Sequence, residues 1–271
     1  LQERRGGAPV LVVNRPGAAA AIGTEAAAKA APDGNTILLG AAYFSTAPHL
    51  FANLPYDPER DFTPLGVGMS IPLTLYASSA FGTKTLAEVL AKLRAAPPNT
   101  YNFASAGQAT LAHIGSALFM NLTGTKLTHV PYQGTAPAMT DVVGGQAQLI
   151  IDGVAAGMGF VESGRLAPIV MTGAARHPKF PNTPTAAEAG LPGFVVETWN
   201  AFFVPSGTPK AIADQLAADF AAIGNEPSVR QWLTERNFEP LVESPDVFRQ
   251  RMARESGRWR DVIRAEGIKV E

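Results

Sequence analysis

The sequence predicts an α/β protein of two domains. Short apolar runs rich in β-branched residues alternate with longer stretches of helical periodicity. The short runs are continuously apolar rather than alternating, which is the mark of strands covered on both faces, so parallel sheets are expected. The chain has 271 residues, 46% of them hydrophobic, a length that suits two cores better than one.

Taken in order, a first strand is predicted at 10–13, where Val10-Leu11-Val12-Val13 follows Leu1-Gln2-Glu3-Arg4-Arg5-Gly6-Gly7. A helix at 24–30, in an alanine-rich stretch, leads to a strand at 36–39 and a loop through Tyr43, Ser45, Thr46 and Ala47. A strand at 73–77 and a helix at 86–95 follow. Ala96-Pro97-Pro98-Asn99 then stops that helix, because proline cannot continue it. The next strand, 101–104, feeds a helix at 111–122 that packs by Leu111, Ile114, Leu118 and Leu122. Strands at 127–130, 148–151 and 169–172 alternate with helices at 136–143 and 155–162. A last strand at 202–204 precedes helices at 209–223, 227–235 and 245–265. Breaks near residues 96–99 and 198–209 suggest one domain from 1–99 plus 202–271 and a second from 100–201. Two crossings of that kind would make a hinge with a cleft between the domains.

Several function classes are excluded. A net charge of −1, from 22 basic and 23 acidic residues, argues against a nucleic-acid partner. The absence of cysteine rules out disulfides, thiolate metal sites and cysteine nucleophiles. His49, His113, His129 and His177 are scattered without ligand spacing, so no metal is expected. Phe81-Gly82-Thr83-Lys84-Thr85 lacks the order of a phosphate-binding P-loop, and no glycine fingerprint opens a helix after a strand; no cofactor is expected. The arginines at 249, 251, 254, 258, 260 and 264 alternate with acids, as on a solvated helix. No apolar run approaches the roughly 20 residues of a membrane span.

Two strand-to-helix joins can carry chemistry. In Asn102-Phe103-Ala104-Ser105-Ala106-Gly107-Gln108-Ala109-Thr110, the turn lies at the carboxyl end of a strand, where open α/β sheets bind ligands. Unpaired N–H groups and the helix dipole favour an anion there, Ser105, Gln108 and Thr110 add side-chain donors, and Gly107 permits close approach. The same residues also suit an ordinary capped turn. Ser105 with His113 and Asp152 names a hydrolase triad on paper, but Phe103 stands where the nucleophile elbow needs glycine, and the chain order is wrong for that fold. The second join, Pro131-Tyr132-Gln133-Gly134-Thr135, has the same grammar, and Tyr132 either lines a cleft or is simply half-buried. Asp152, at a later strand end, can bind an amine or hydroxyl or cap the next helix.

At these motifs the chain resembles the Bug receptors, the substrate-binding proteins of tripartite tricarboxylate transporters. The likeness rests on "NRPGAAAAIGTEAAAKAAPDGNTILLG", "YNFASAGQATLAHIGSALF", "HVPYQGTAPAMTDVVGGQAQLIID", "SGRLAPIVMTGAARHPKFPNTPTAAEAGLPGF" and "FFVPSGTPKAI", in family order over essentially the whole chain. It implies a periplasmic binding protein type II-like fold, two α/β domains closing on a small organic carboxylate in the cleft between them, with no catalysis. It implies a periplasmic location, a monomer, and membrane transporter subunits or a sensor kinase as partners. The family's ligand loop falls on Ser105, Gly107, Gln108, Ala109, Thr110 and His113. Its second turn falls on Tyr132, Gln133 and Gly134, its acidic strand end on Asp152, and the outer domain's share on Tyr43, Ser45 and Thr46. With the resemblance, the anion-cradle reading of residues 105–110 leads.

The chain departs from the pattern in three places. Gln108-Ala109 stands where Asn-Gly is common, and Ala18-Ala19-Ala20-Ala21 replaces a glycine-rich run. Members also begin with a further strand and loop, so a strand in the middle of the outer sheet is expected to lie before Leu1. Two other classes stay open: a serine hydrolase using Ser105 and His113, and the ligand-sensing module of a regulator, though no helix-turn-helix is evident.

Overall fold

The computed structural model describes residues 1–15, 17 and 20–269. In chain order the elements are α1 (Ala21–Ala28), β1 (Leu38–Ala41), α2 (Tyr43–Leu50), β2 (Phe62–Ile71), β3 (Leu73–Ser78), α3 (Leu86–Ala95), β4 (Asn102–Ser105), α4 (Leu111–Thr123) and β5 (Thr128–Pro131). They continue with α5 (Thr135–Val143), β6 (Leu149–Gly153), α6 (Val154–Glu162), β7 (Leu166–Met171), β8 (Thr198–Pro205), α7 (Lys210–Asn225), α8 (Pro227–Glu235), β9 (Glu239–Glu243) and α9 (Pro245–Glu266).

Local chemistry explains many of these ends. Thr85 and Glu88 form a reciprocal capping box at the start of α3, each side chain accepting the other's backbone N–H at 3.2 and 3.1 Å. Pro227 opens α8, where its missing N–H costs nothing. Gly124, at a φ of 65°, closes α4 in the left-handed conformation.

The chain divides into two compact units. The first, Leu1–Ser70 with Trp199–Arg260, holds a four-stranded sheet in the order β1-β8-β2-β9, with β1 antiparallel to β8 and β2 antiparallel to β9. Phe44 stacks on Phe203 at 4.6 Å between centroids, and Trp199 meets Phe248 edge-on at 4.7 Å. Trp199, Phe203 and Phe248 are fully buried, each contributing about 2–3 kcal/mol by area removed from water. The second unit is Ile71–Thr198 with the described residues from Asp261 on. Its five-stranded sheet runs β5-β4-β6-β3-β7. Here β4 is parallel to β5 and β6, whereas β3 is antiparallel to β6 and β7. Tyr76, Met139, Ile150 and Met171 fill one layer of its core.

Several expectations need correction. Both sheets contain antiparallel pairs, because β1, β3, β8 and β9 enter against a neighbour. The first crossing comes at Ser70/Ile71 and not at residue 99. The pairing of β3 between β6 and β7 ties residues 71–99 to the second unit. Residues 10–13 form no strand: Leu11, Val12 and Val13 are 82%, 86% and 70% exposed, and β-propensity without a partner strand does not make a strand. Strands β2 and β9 lie where the sequence pattern predicts none. The loop expected at 43–47 is the body of α2. The first unit's described strands pair in one run from β1 to β9.

Candidate functional site

Parallel strands β5, β4 and β6 end at one edge of the second unit's sheet, and each feeds a helix there. The amino ends of α5, α4 and α6 therefore gather at that edge. Neither Gly134, which precedes α5, nor Gly153, which precedes α6, supplies a side-chain cap. Helix amino ends without side-chain caps, with their dipoles, are the chemistry an anion would find at such an edge.

Backbone geometry shapes the two loops. Gly107 has a φ of 148°, a conformation side chains rarely adopt, although a Cβ there would meet the Tyr132 carbonyl and Thr110 Cγ2 only in ordinary contact, at 3.4 and 3.5 Å. Gly134 has a φ of 109°, so both turns need glycine's freedom. The loops are stitched together by Tyr132 N–H donating to the Ser105 carbonyl and Gly134 N–H donating to the Ala106 carbonyl, each at 3.0 Å. Thr110 caps α4 by accepting the His113 N–H at 3.4 Å. Ala109 holds a left-handed φ of 57° without being glycine, which costs about 1–2 kcal/mol.

The two hydroxyls expected to point at a ligand are engaged in the loop itself. Ser105 Oγ donates to the Gly107 carbonyl at 3.0 Å, and Thr110 Oγ1 donates to the same oxygen at 2.8 Å. Ser105 is fully buried. Its oxygen also receives the Gly107 N–H at 3.3 Å and lies 2.7 Å from His129 Nε2. All three contacts are satisfied together when His129 Nε2 carries the proton and donates to Ser105. Ser105 then has its proton directed away from the imidazole and both lone pairs filled, the opposite of an activated nucleophile. The imidazole beside Ser105 is that of His129, and the sequence pairing of Ser105 with His113 is corrected accordingly.

His113 accepts the Ala109 N–H on Nδ1 at 3.0 Å. Its ring stacks on His129 with centroids 3.7 Å apart and planes 2° apart. Burial lowers the His113 pKa; burial first, and His113 second, lower that of His129 to about 4. Gln108 and Gln133 are exposed on the loops. Tyr132 is half-buried, and its hydroxyl donates to Asp141 Oδ2 at 2.8 Å; burial and that carboxylate raise its pKa to about 12. Asp152, at the end of β6, accepts the Gly153 N–H at 2.7 Å. Burial raises its pKa, with the hydrogen bonds from Gly153 and Thr135 pulling the other way. It does not cap α6, which begins after Gly153 without a side-chain cap. An acid so placed can share a proton with a carboxylate or receive a ligand hydroxyl.

Residues 105–113, 132–134 and Asp152 thus gather at one edge of one unit. Tyr43, Ser45 and Thr46 belong to the first unit, on α2. Tyr43 shares a hydrogen bond with Thr24 Oγ1 at 2.8 Å, Thr46 donates to the Tyr43 carbonyl at 3.2 Å, and Ser45 donates to Glu255 Oε2 at 3.5 Å. Ser45 and Thr46 are buried. His129 is the residue that sequence reasoning passed over. Its signal lay in the parallel pairing of β4 with β5, which sets His129 opposite Phe103 and two residues from Ser105. Among the described residues no group of His, Asp and Glu has the arrangement of a metal site, and no helix is long and apolar enough to cross a membrane.

Residues 2–268 match the model of the tripartite tricarboxylate transporter family receptor. Protein BugT of Bordetella pertussis is 32% identical over 270 residues, covering 98% of this chain and 82% of its own. Among solved structures, Rpa4515 of R. palustris with adipate superposes with a TM-score of 0.83 at 30% identity, covering 99% of this chain and 90% of that one. MatC of Rhodopseudomonas palustris with bound malate gives 0.74 at 32% identity, over 91% and 85% of the two chains. The fold is that of the periplasmic binding proteins, the relatives are receptors and not enzymes, and the chain belongs to the tripartite tricarboxylate transporter receptor family.

Proposed function

We propose that the protein is a periplasmic receptor that captures a small organic carboxylate at the edge where β4, β5 and β6 end. The observation that carries this reading is the gathering of three helix amino ends around two glycine-bearing loops. Backbone N–H groups, the Gln108 amide and a partly buried acid, Asp152, are the chemistry available to a carboxylate there. The adipate and malate held by the two structural relatives support the substrate class. The captured ligand is destined for the membrane subunits of a transporter or for a sensor. Ligand binding shifts the receptor's conformational balance only by its preference for one form.

Because Ser105 and Thr110 hold the Gly107 carbonyl in place, their hydroxyls serve binding by fixing the loop. Ser105→Ala combined with Thr110→Val is expected to weaken adipate or malate binding by roughly 30-fold, from two lost hydrogen bonds of about 1 kcal/mol each. Isothermal titration calorimetry of the folded double variant reads this directly. An unchanged affinity would refute the assignment of the loop.

A further inference from the structure

The loop that faces the anion edge is held from behind by two histidines that reach it from different elements. His113 comes from α4 and His129 from β5. Their rings lie face to face, 3.7 Å between centroids and 2° from parallel. Each ring grips a different part of the loop. His113 Nδ1 takes the Ala109 N–H at 3.0 Å, and His129 Nε2 lies 2.7 Å from Ser105 Oγ. Ser105 in turn fixes both polar groups of Gly107, at 3.0 and 3.3 Å.

The chemistry of imidazole sets a condition on this arrangement. His113 Nδ1 has to be bare to accept from Ala109, so the proton of its neutral ring sits on Nε2. His129 also carries its proton on Nε2 in the one assignment that satisfies every contact of Ser105. A second proton on His113 would turn its acceptor into a donor aimed at another donor. A second proton on His129 would place a cation face to face with its neighbour, in a partly buried site. The acids on adjoining elements are engaged elsewhere. Asp141 of α5 receives the Tyr132 hydroxyl, and Asp152 of β6 receives the Gly153 N–H. Among the described residues neither is hydrogen-bonded to either imidazole. On the other faces, β4 contributes Ser105 and α4 contributes His113 itself.

We propose that His129 is a positioning residue for the carboxylate loop, acting through Ser105 and through its stack on His113, and that the neutral pair is a latch which a proton releases. The inference rests on the reading of residues 105–110 as the carboxylate loop, yet the latch is a property of the free protein and is tested without ligand. Burial, which holds both rings on the neutral side, places the release in mild to strong acid rather than near neutrality.

The test uses nitrogen-15-labelled protein and two variants, His129→Phe and His129→Gln. Phenylalanine keeps a ring for His113 to stack on but has no hydrogen bond for Ser105, while glutamine keeps a donor. Long-range imidazole spectra of the wild type at neutral pH should show the Nε2–H form of both histidines. Amide exchange at Gly107 and Ala109 should be protected at neutral pH and lose protection as the pH falls toward about 4. In His129→Phe the protection should drop about tenfold at neutral pH, the equivalent of one hydrogen bond, and His129→Gln should restore most of it. Titration with adipate and malate at pH 7 and pH 4.5 completes the set, with affinity expected to follow the exchange data. An Nδ1–H form of His129, or exchange in His129→Phe equal to the wild type, would overturn the latch. If the phenylalanine variant does not fold, the wild-type tautomers and pH profile still decide the matter. An intact latch with no binding of either carboxylate at any pH would leave the positioning role standing and refute the carboxylate reading instead.

Discussion

Removing Glu255 should cost the first unit several hydrogen-bonded contacts at once. This residue lies on α9 with its side chain only 13% exposed, and three groups converge on its carboxylate. Trp199 Nε1 donates at 2.9 Å, Arg251 Nε at 2.9 Å and Ser45 Oγ at 3.5 Å. Arg251 is 14% exposed and reaches Glu243 with its other arm at 3.0 Å. The two glutamates raise its pKa against the opposing effect of burial. In Glu255→Ala, Trp199, which is fully buried, keeps a donor with no acceptor, at about 1–3 kcal/mol. Arg251 keeps one carboxylate instead of two, in a partly desolvated site, where breaking a pair costs about 3–5 kcal/mol when nothing replaces it. Because Glu243 still neutralises the guanidinium, Arg251's share falls below that range, to about 1–2 kcal/mol, and with the Trp199 donor the whole loss should centre on about 3–4 kcal/mol. Glu255→Gln retains an acceptor for Trp199 and should lose about half as much. Urea unfolding followed by tryptophan fluorescence measures both, and at roughly 2–4 °C per kcal/mol the alanine variant should also melt about 6–16 °C lower. A loss below 1 kcal/mol in Glu255→Ala would show that this cluster is bystander chemistry and that the aromatic core alone holds α9 to the sheet.

Two further outcomes follow from the loop. Ala109→Gly relieves a left-handed alanine at a φ of 57°, and should stabilise the protein by about 0.5–1 kcal/mol after the added freedom of the unfolded chain is subtracted; a destabilised variant in urea unfolding would show that the alanine methyl packs usefully. Stability should also fall with acid. A histidine with a depressed folded pKa stays neutral while the unfolded chain takes up a proton, so its contribution is whole above the ordinary value of 6.5. It is lost as the pH falls toward about 4, His129's folded value, by on the order of 2–3 kcal/mol. Asp152, with a raised pKa, acts in the opposite sense but is common to wild type and His129→Gln, so the difference between their unfolding free energies at pH 7 and pH 4.5 isolates the histidine; parallel curves would refute its depressed pKa.

What could be seen in the sequence, and what could not, divides along the range of the interactions. Helix α3 was legible to the residue, because Thr85, Glu88 and the prolines after Ala95 are local signals that need no tertiary partner. Strands β4, β5 and β6 were legible as apolar runs, and with them the two joins that form the candidate site. Strand β2 was hidden because Pro64, Gly66 and Gly68 interrupt its pattern. Gly66 lies against the Glu243 carbonyl and Gly68 against the Phe202 ring, so those glycines answer to neighbours far along the chain. Strand β9 pairs through only a few residues, carries Pro240 between two glutamates, and reads as a loop until its partner is known. The run 10–13 errs the other way, with strand-forming residues and no described strand beside them. The same division holds within the site. Gly107 and Gly134 betray their turns locally, whereas His129 acquires its meaning only when β5 lies beside β4 and its imidazole comes within 2.7 Å of Ser105. The loop that would hold a carboxylate is therefore written locally, but the groups that keep it in shape, His113 and His129, come together only through the fold. A change at β5, behind the loop rather than in it, is thus expected to act on binding as strongly as a change in the loop.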